Sequence, residues 1–475
     1  MYYIRSRGPR AWMAAAAAAA LAACAATASA QGGGEGGLRI YEEQLRVQLD
    51  QQQAAAKEAG VDGGGWLVSA FLTYDDDAAR KRRTLRQNEL RLWGSLSFAG
   101  VHQFYVRGLF GYDDWNTGDN PEGERGDRWN DELERAWYRY DYTRGVLNET
   151  GKYPEVGFNV QVGREYHTIG SGLVLALPLD AVRIDAQAGD WTVVGLLGKT
   201  LTHTPNIDDS DPVADHMDRC FYGLELRYTG LDRHEPYVYY LIQRDHTDEW
   251  GKDPLAEYTY HSDYLGIGSG GSVLLPNLRY GTELVFEHGE SNPNPPANRR
   301  EDVHAMALDV LLEYFFDAPC KPRARFEYLW GSGDPDRDLS ANSTIGGNRP
   351  GTTDTAFNAF GFRDTGLAFS PWIANLHIFQ IGGSAVPFES VRLLRKMELG
   401  TKLFAYMKDR PRGAISDTLG TDQAGWVGWE WDVYCDWRLT SDVSLTARYG
   451  TFQPGDAFES DGCRHFVYAA LSYSF

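Results

Sequence analysis

From residue 66 onward, apolar side chains recur at every second position. Ala136, Tyr138, Tyr140 and Tyr142 share one face of a stretch whose other face carries Arg135, Arg139 and Asp141. Val182, Ile184, Ala186 and Ala188 stand in the same way against Arg183, Asp185 and Gln187, and Leu224, Leu226 and Tyr228 against Glu225 and Arg227. Met306, Leu308, Val310, Leu312, Tyr314 and Phe316 oppose Asp309 and Glu313, while Ala324, Phe326, Tyr328 and Trp330 oppose Arg323, Arg325 and Glu327. A strand projects successive side chains to opposite faces, so period two predicts strands with one apolar and one polar surface. Charge at every second position is too costly for the dry core of a β-sandwich but suits a water-filled lumen with lipid outside. The pattern therefore predicts an all-β protein, a transmembrane antiparallel β-barrel.

The connections sort into two classes. Short ones fall at Ala99-Gly100, Ala188-Gly189-Asp190, 230–235, Ala318-Pro319 and Thr440-Ser441-Asp442; long polar ones alternate with them at 113–131, 203–215, 288–301, 331–370 and 409–425. Short periplasmic turns and long external loops are the arrangement of outer-membrane barrels, and counting strands between them gives about 18, with 16 as the alternative even number. The last strand supports closure. Val467, Ala469, Leu471 and Tyr473 alternate toward lipid and Phe475 ends the run, a pattern resembling the signal read by barrel-assembly machinery. A C-terminal strand of a soluble sandwich is the competing reading of that segment alone.

The other end reads as a leader. Arg5, Arg7 and Arg10 precede an alanine-rich apolar run, and Ala28-Ser29-Ala30 forms a small-residue cleavage site, so residues 1–30 are expected to be a Sec-type signal peptide. Leu21-Ala22-Ala23-Cys24 also resembles a lipobox, which would leave Cys24 acylated. Residues 31–64 are Gly-rich, then helical, with Leu38, Tyr41, Leu45 and Leu49 near one helical face. A frayed periplasmic arm is expected there, a partial plug or a coiled-coil contact being the alternatives. The barrel is assigned to 65–475.

Composition narrows the class. Past the leader no apolar run approaches the ~18 residues of a membrane helix, and mean hydropathy is −0.44, compatible with strands that are only half apolar. Aromatics make up 13% of the chain, enough to furnish girdles at two membrane interfaces. The net charge of −20 argues against nucleic acid as a partner. Cys220, Cys320, Cys435 and Cys463 are widely spaced without a CxxC pair, which disfavours a disulfide framework or zinc site. No G-x-S-x-G, HExxH, P-loop or dinucleotide fingerprint occurs in the mature chain, and His216, His234, His246 and His261 lack a spaced Ser or Cys partner, so no enzyme is expected. Asp334-Pro335-Asp336-Arg337-Asp338 and Asp208-Asp209-Ser210-Asp211 lack the glycine and distal Glu of a calcium loop; no metal and no cofactor are assigned.

Two stretches carry a family resemblance. Gly428-Trp429-Glu430-Trp431-Asp432 leads through Val443 to Gly450 into Phe452-Gln453-Pro454-Gly455-Asp456-Ala457. This resembles the C-terminal signature of the alginate export family, with its acidic G-x-E-x-D strand and P-G-D-A turn. Gly163-Arg164-Glu165 and Leu179-Asp180-Ala181-Val182-Arg183 resemble that family's G-R segment and D-A-V-R strand. The resemblance spans about residues 66–475 and implies an 18-stranded monomeric outer-membrane barrel that exports or conducts an anionic polysaccharide such as alginate. It also implies periplasmic scaffold and synthase proteins as companions. One departure matters: the family's exporter has a strongly cationic constriction, whereas the inferred inner face here mixes signs.

Anion passage calls for arginine, weakly hydrated and forked to meet carboxylates, held so that solute is both admitted and released. Arg135, Arg139, Arg183, Arg323 and Arg325 have clear inward parity and are the expected lining of the substrate path, together with Arg448. Each has a second reading as a cross-strand ion pair. Glu430 and Asp432 are expected as partners that orient arginine. Three functions stay open: a polysaccharide export channel, a general or solute-specific diffusion porin, and a structural or adhesin barrel blocked by 331–370. Expected partners are outer-membrane lipid and lipopolysaccharide.

Overall fold

The computed structural model describes residues 59–77, 80–121, 127–201, 218–246, 260–291, 300–337, 340–341 and 348–475. The expected signal peptide, Cys24, most of the arm, His216 and 208–211 lie outside the described residues. The strands are β1 (Gly60–Asp76), β2 (Lys81–Phe98), β3 (His102–Trp115), β4 (Asp127–Asp141), β5 (Val156–Ile169) and β6 (Leu175–Ala188). They continue as β7 (Trp191–Thr200), β8 (Arg219–Tyr228), β9 (His234–Asp245), β10 (His261–Ser272), β11 (Leu278–Ser291) and β12 (Glu301–Phe315). The last six are β13 (Arg323–Gly331), β14 (Leu376–Ala385), β15 (Met397–Lys408), β16 (Trp426–Arg438), β17 (Val443–Pro454) and β18 (Arg464–Ser474). Each pairs antiparallel with its sequence neighbours, and β18 pairs with β1, closing one 18-stranded sheet. A closed sheet leaves no unpaired edge, which is what lets strands sit in lipid.

Alternation holds around the circumference. Leu67, Phe71, Phe104, Val106, Phe110, Ile184, Leu224, Ile381, Leu403, Trp429 and Leu471 are exposed on the outside. The intervening positions, among them Glu89, Arg91, Arg107, Arg135, Glu225, Glu283, Asp309, Glu327 and Glu430, are buried inside. Tyr473 and Phe475, 6.0 Å apart between ring centroids, project outward beside the seam.

The seam explains the glycine tract. β1 begins at Gly60, earlier than the alternation alone suggests, so residues 60–64, assigned to the arm, lie in the strand with Gly65. Gly65 and Phe475 exchange backbone hydrogen bonds at 3.0 and 2.9 Å. A Cβ on Gly65 would lie 2.6 Å from the Arg91 carbonyl and 2.9 Å from the Phe475 ring, so only glycine lets the last residue close here.

Long connections gather at one end of the barrel and short turns at the other, as expected. Two features were not anticipated. At the short-turn end, α1 (Tyr142–Thr150) follows β4; the Asp141 carboxylate accepts the Arg144 N–H at 2.8 Å as N-cap, and Gly151 at φ 69° ends the helix. Tyr142, expected to continue the outward face of a strand, instead opens this helix and stacks on Phe158 at 4.6 Å. At the long-connection end, residues 170–174 and the described residues 332–337, 340–341 and 348–375 turn into the barrel. β13 stops at Gly331, so the far edge of β12 beyond Ala307 is unpaired with β13. The long segment takes that edge: Ser332 N–H donates to Met306 O at 2.9 Å, and Asp354 bridges in parallel to Val303.

Candidate functional site

The lumen is the only enclosed space a barrel offers, and here its own wall carboxylates hold two segments inside it. Glu225 accepts the Gly170 N–H at 2.8 Å, and Glu283 accepts the Ser171 N–H at 2.6 Å together with the hydroxyls of Tyr237 and Tyr239 at 2.6 and 2.7 Å. Gly170 sits at φ +62°, and a Cβ there would lie 2.5 Å from the Tyr239 ring. Leu173, Val174 and Leu175 then pack with Phe221, Leu241, Phe357 and Phe360 in one apolar cluster. The Phe360 N–H donates to Val174 O at 2.8 Å and the Phe360 carbonyl accepts the Ala176 N–H at 2.9 Å, joining the two segments into one inserted body.

The long segment is anchored in the same way along its length. Arg337 forms a buried forked pair with Asp354, and Glu287 accepts the Asn358 N–H at 3.0 Å. Arg363 donates to Asp309 at 2.8 Å and reaches back to Ser171. Burial opposes the charged Arg363 guanidinium, but Asp309 and Glu283 outweigh it and hold its pKa above the ordinary value. Asp364 pairs with Lys402; burial alone would raise its carboxyl pKa, and the ammonium overturns this to hold it below the usual range. Glu430 accepts the N–H groups of Ala368 and Phe369 at 2.7 and 2.8 Å, and that of Leu367, while Phe369 stacks on Phe452 at 4.3 Å. The segment that sequence placed among external loops thus crosses the lumen from β12 to β16, narrowing it.

The arginines fall into two groups. Arg91, Arg107 and Arg135 form a buried row on β2, β3 and β4, interleaved with acids: Glu134 bridges Arg91 and Arg107 at 2.8 and 2.7 Å, and Arg135 meets Glu165 at 2.7 Å. Arg139, Arg183, Arg227, Arg323 and Arg325 remain half-buried at the lumen surface. Arg139 donates to Gln161 at 2.6 Å, Arg183 pairs with Asp185 at 2.9 Å, and Arg323 engages Ser384 and Glu398. Pairs were expected across strands. Several run along one strand instead, between same-face neighbours two residues apart: Arg91 with Glu89, Arg183 with Asp185, Arg227 with Glu225, Arg325 with Glu327.

Of the residues singled out from sequence, Arg139, Arg183, Arg323 and Arg325 reach the lumen surface. Arg135 is buried on the inner face against Glu165, and Arg448 stacks over Tyr434 at 5.1 Å while pairing with Asp436. Glu430, expected to orient arginine, caps loop amides instead, and Asp432 is buried directly opposite Lys402. Arg363, Asp364 and the anchoring role of Glu283 were missed; their partners are up to 192 residues away in sequence, and no local pattern marks them. Asp334 accepts the N–H groups of Asp336 and Thr355, so part of that acidic run serves the local loop backbone. Among the described residues no group of His, Cys, Asp or Glu could hold a metal ion.

A closed antiparallel barrel with a lipid-facing apolar exterior, a charged interior and a constricting inward loop defines an outer-membrane channel of the porin type. The family model described as alginate export matches residues 178–470, and the chain belongs to that family. Solved structures of similar fold include OccK8 (OprE) of Pseudomonas aeruginosa, at 12% identity and TM-score 0.54 over 87% of this chain and 98% of that one. OccAB4 of Acinetobacter baumannii matches at 10% identity and TM-score 0.53 over 89% and 99%. OpdK of P. aeruginosa, solved with vanillate, matches at 9% and 0.53 over 87% and 98%. These likenesses establish the fold. No curated protein sequence matches the chain.

Proposed function

We propose that this barrel conducts an anionic polysaccharide of the uronate type across the outer membrane. The observation that carries the reading is an asymmetry in how paired charges face the lumen. Arg325 keeps 29% of its side chain exposed while its partner Glu327 keeps 2%; Arg227 keeps 27% and Glu225 6%. Glu225, Glu283, Glu287 and Glu430 are spent on holding the inserted segments. At the Arg325 and Arg227 pairs the charge a solute meets is guanidinium, which binds carboxylates in a forked geometry. Arg183 and Asp185, by contrast, are exposed alike, at 25% and 28%, and Arg448 is less exposed than Asp436. The chain's overall acidity does not contradict this, because local field and net charge are separate quantities.

The lipid-facing surface fits outer-membrane lipid and lipopolysaccharide, β18 with Phe475 fits recognition by assembly machinery, and a monomer working beside periplasmic export components is the expected assembly. A second reading, a porin for small carboxylates, is favoured by one observation: inserted segments held by wall residues from β8 to β16 lie inside the barrel. Single-channel recording of the full chain with oligomannuronate added distinguishes them. Concentration-dependent block by the oligomer supports the polysaccharide reading. Currents altered only by monomeric carboxylates would replace it with the porin, and absence of current would leave a structural barrel.

A further inference from the structure

At the short-turn end, residues 99–101 join β2 to β3 and 189–190 join β6 to β7, but β14 and β15 are joined by the longer segment 386–396. Apolar residues recur along it at every third position, Phe388, Val391 and Leu394 leading to Met397, with Arg392 and Arg395 three apart beside them. The backbone turns with the same period. The Val391 N–H donates to Phe388 O at 3.0 Å, Leu394 N–H to Val391 O at 2.9 Å, and Met397 N–H to Leu394 O at 2.9 Å. Bonding of each residue to the third before it sets side chains three apart on one side, so the segment carries an apolar row beside a basic one.

Two observations say what this segment meets. The first is its attachment to the lipid-facing wall. Trp437 shares outward parity with the exposed Trp429 and Trp431, and its indole N–H donates to the Leu393 carbonyl at 3.1 Å. Met397 lies directly across from Trp437, and Leu399, on the same face of β15, is exposed on the outside. Phe388, Val391 and Leu393 are exposed as well, so the apolar surface of the barrel runs on into the connection. The second observation is charge. Arg392, Arg395 and Lys396 are exposed. The one acid of the segment, Glu389, is taken by Lys321 at 2.9 Å, and Glu398 on β15 engages Arg323. Partial burial lowers the Lys396 pKa, and the positive charges of Arg438 and Arg395 lower it further. Cations are thus crowded together here, in a chain whose net charge is −20.

We propose that 386–396 is an interfacial anchor for the anionic glycerophospholipid phosphatidylglycerol in the periplasmic leaflet. Short turns of an outer-membrane barrel face the periplasm, on the side where phospholipid rather than lipopolysaccharide meets the protein. Phe388, Val391 and Leu393 enter the acyl boundary, while Arg392, Arg395 and Lys396 lie at the depth of the phosphates. Amphipathic segments lying in a membrane interface divide their side chains in this way. A soluble protein partner fits less well, because the segment is tied to the wall that lipid covers. The inference goes beyond the cargo and does not depend on it.

Two lipids that differ in headgroup charge test this. The full chain in detergent is titrated with phosphatidylglycerol and, separately, with phosphatidylethanolamine, and bound lipid is counted by native mass spectrometry. A basic side chain near an anionic surface gives about a fivefold preference, so one phosphate met by one or two of the three should bind wild type about tenfold more tightly than its neutral counterpart. The triple variant Arg392→Gln, Arg395→Gln, Lys396→Gln should bind both lipids alike, and Arg392→Lys with Arg395→Lys should keep the preference. Equal binding of the two lipids by wild type, or a preference that survives in the glutamine variant, overturns the anchor. So would binding of oligomannuronate that is lost in the same variant, which would assign the patch to the cargo.

Discussion

Removing the Glu430 carboxylate should release the end of the inserted segment nearest β16. Three backbone N–H groups, from Leu367, Ala368 and Phe369, converge on this one side chain, which is wholly buried. Hydrogen bonds to a charged acceptor are worth about 1.5–3 kcal/mol each. The freed amides regain water when the segment moves, so the lower figure applies, giving roughly 4.5 kcal/mol for the three together. At 1.4 kcal/mol per factor of ten, that favours the displaced segment by about a thousandfold. The Tyr406 hydroxyl on Thr365 O, and the salt links of Asp309 and Lys402 to the segment, remain, which confines release to 366–369. Hydrogen exchange of the detergent-solubilised barrel reads this directly: Glu430→Ala should lower protection of the 367–369 amides by up to that factor and raise open-channel current noise. Unchanged protection at 367–369 would refute the anchoring role.

Other consequences follow from the same contacts. Arg139→Glu with Arg183→Glu replaces two lumen-surface guanidinium groups and should shift the reversal potential toward cation preference; an unmoved potential removes them from the path. Arg464 is paired with Asp77 and Asp417 and stacked within 5.0 Å of the Phe458 ring, joining three connections beside the seam. Arg464→Ala breaks a mostly buried pair and should cost about 3 kcal/mol, read as a lower thermal midpoint in detergent. Gly170→Val puts a Cβ against Tyr239 and Glu283, and should expose 170–174 to exchange without altering barrel assembly. Because Asp364 is held below the usual carboxylate range, its ionised form stabilises the anchor above the unfolded pKa of about 3.9, and that contribution fades only as pH falls through the depressed value. Wild type and Asp364→Asn should therefore differ in current noise equally at pH 8 and about pH 5, and converge only in stronger acid.

The alternation of the strands and the two classes of connection were legible because each is set by local contrast between lipid and lumen. Reading Arg139, Arg183 and Arg325 as inward needed only their parity. The helix at Tyr142 was hidden by Tyr138 and Tyr140, whose period-two pattern runs into it, although Asp141 and Gly151 are ordinary cap residues. The inserted body was illegible for a different reason. Its contacts join residues such as Arg363 and Ser171, or Ser171 and Glu283, which sequence spacing does not relate. Nor does sequence show which member of an ion pair faces water. Arg325 and Glu327 look equivalent on paper, and only the fold leaves the arginine the more exposed of the two.

Translocation itself tests the account most directly. Proteoliposomes carrying the full chain and loaded with a labelled mannuronate oligomer should release it, while protein-free vesicles retain it. Retention of the oligomer in vesicles that nonetheless leak chloride would contradict the account, leaving a porin too narrow, or too weakly cationic, for the polymer.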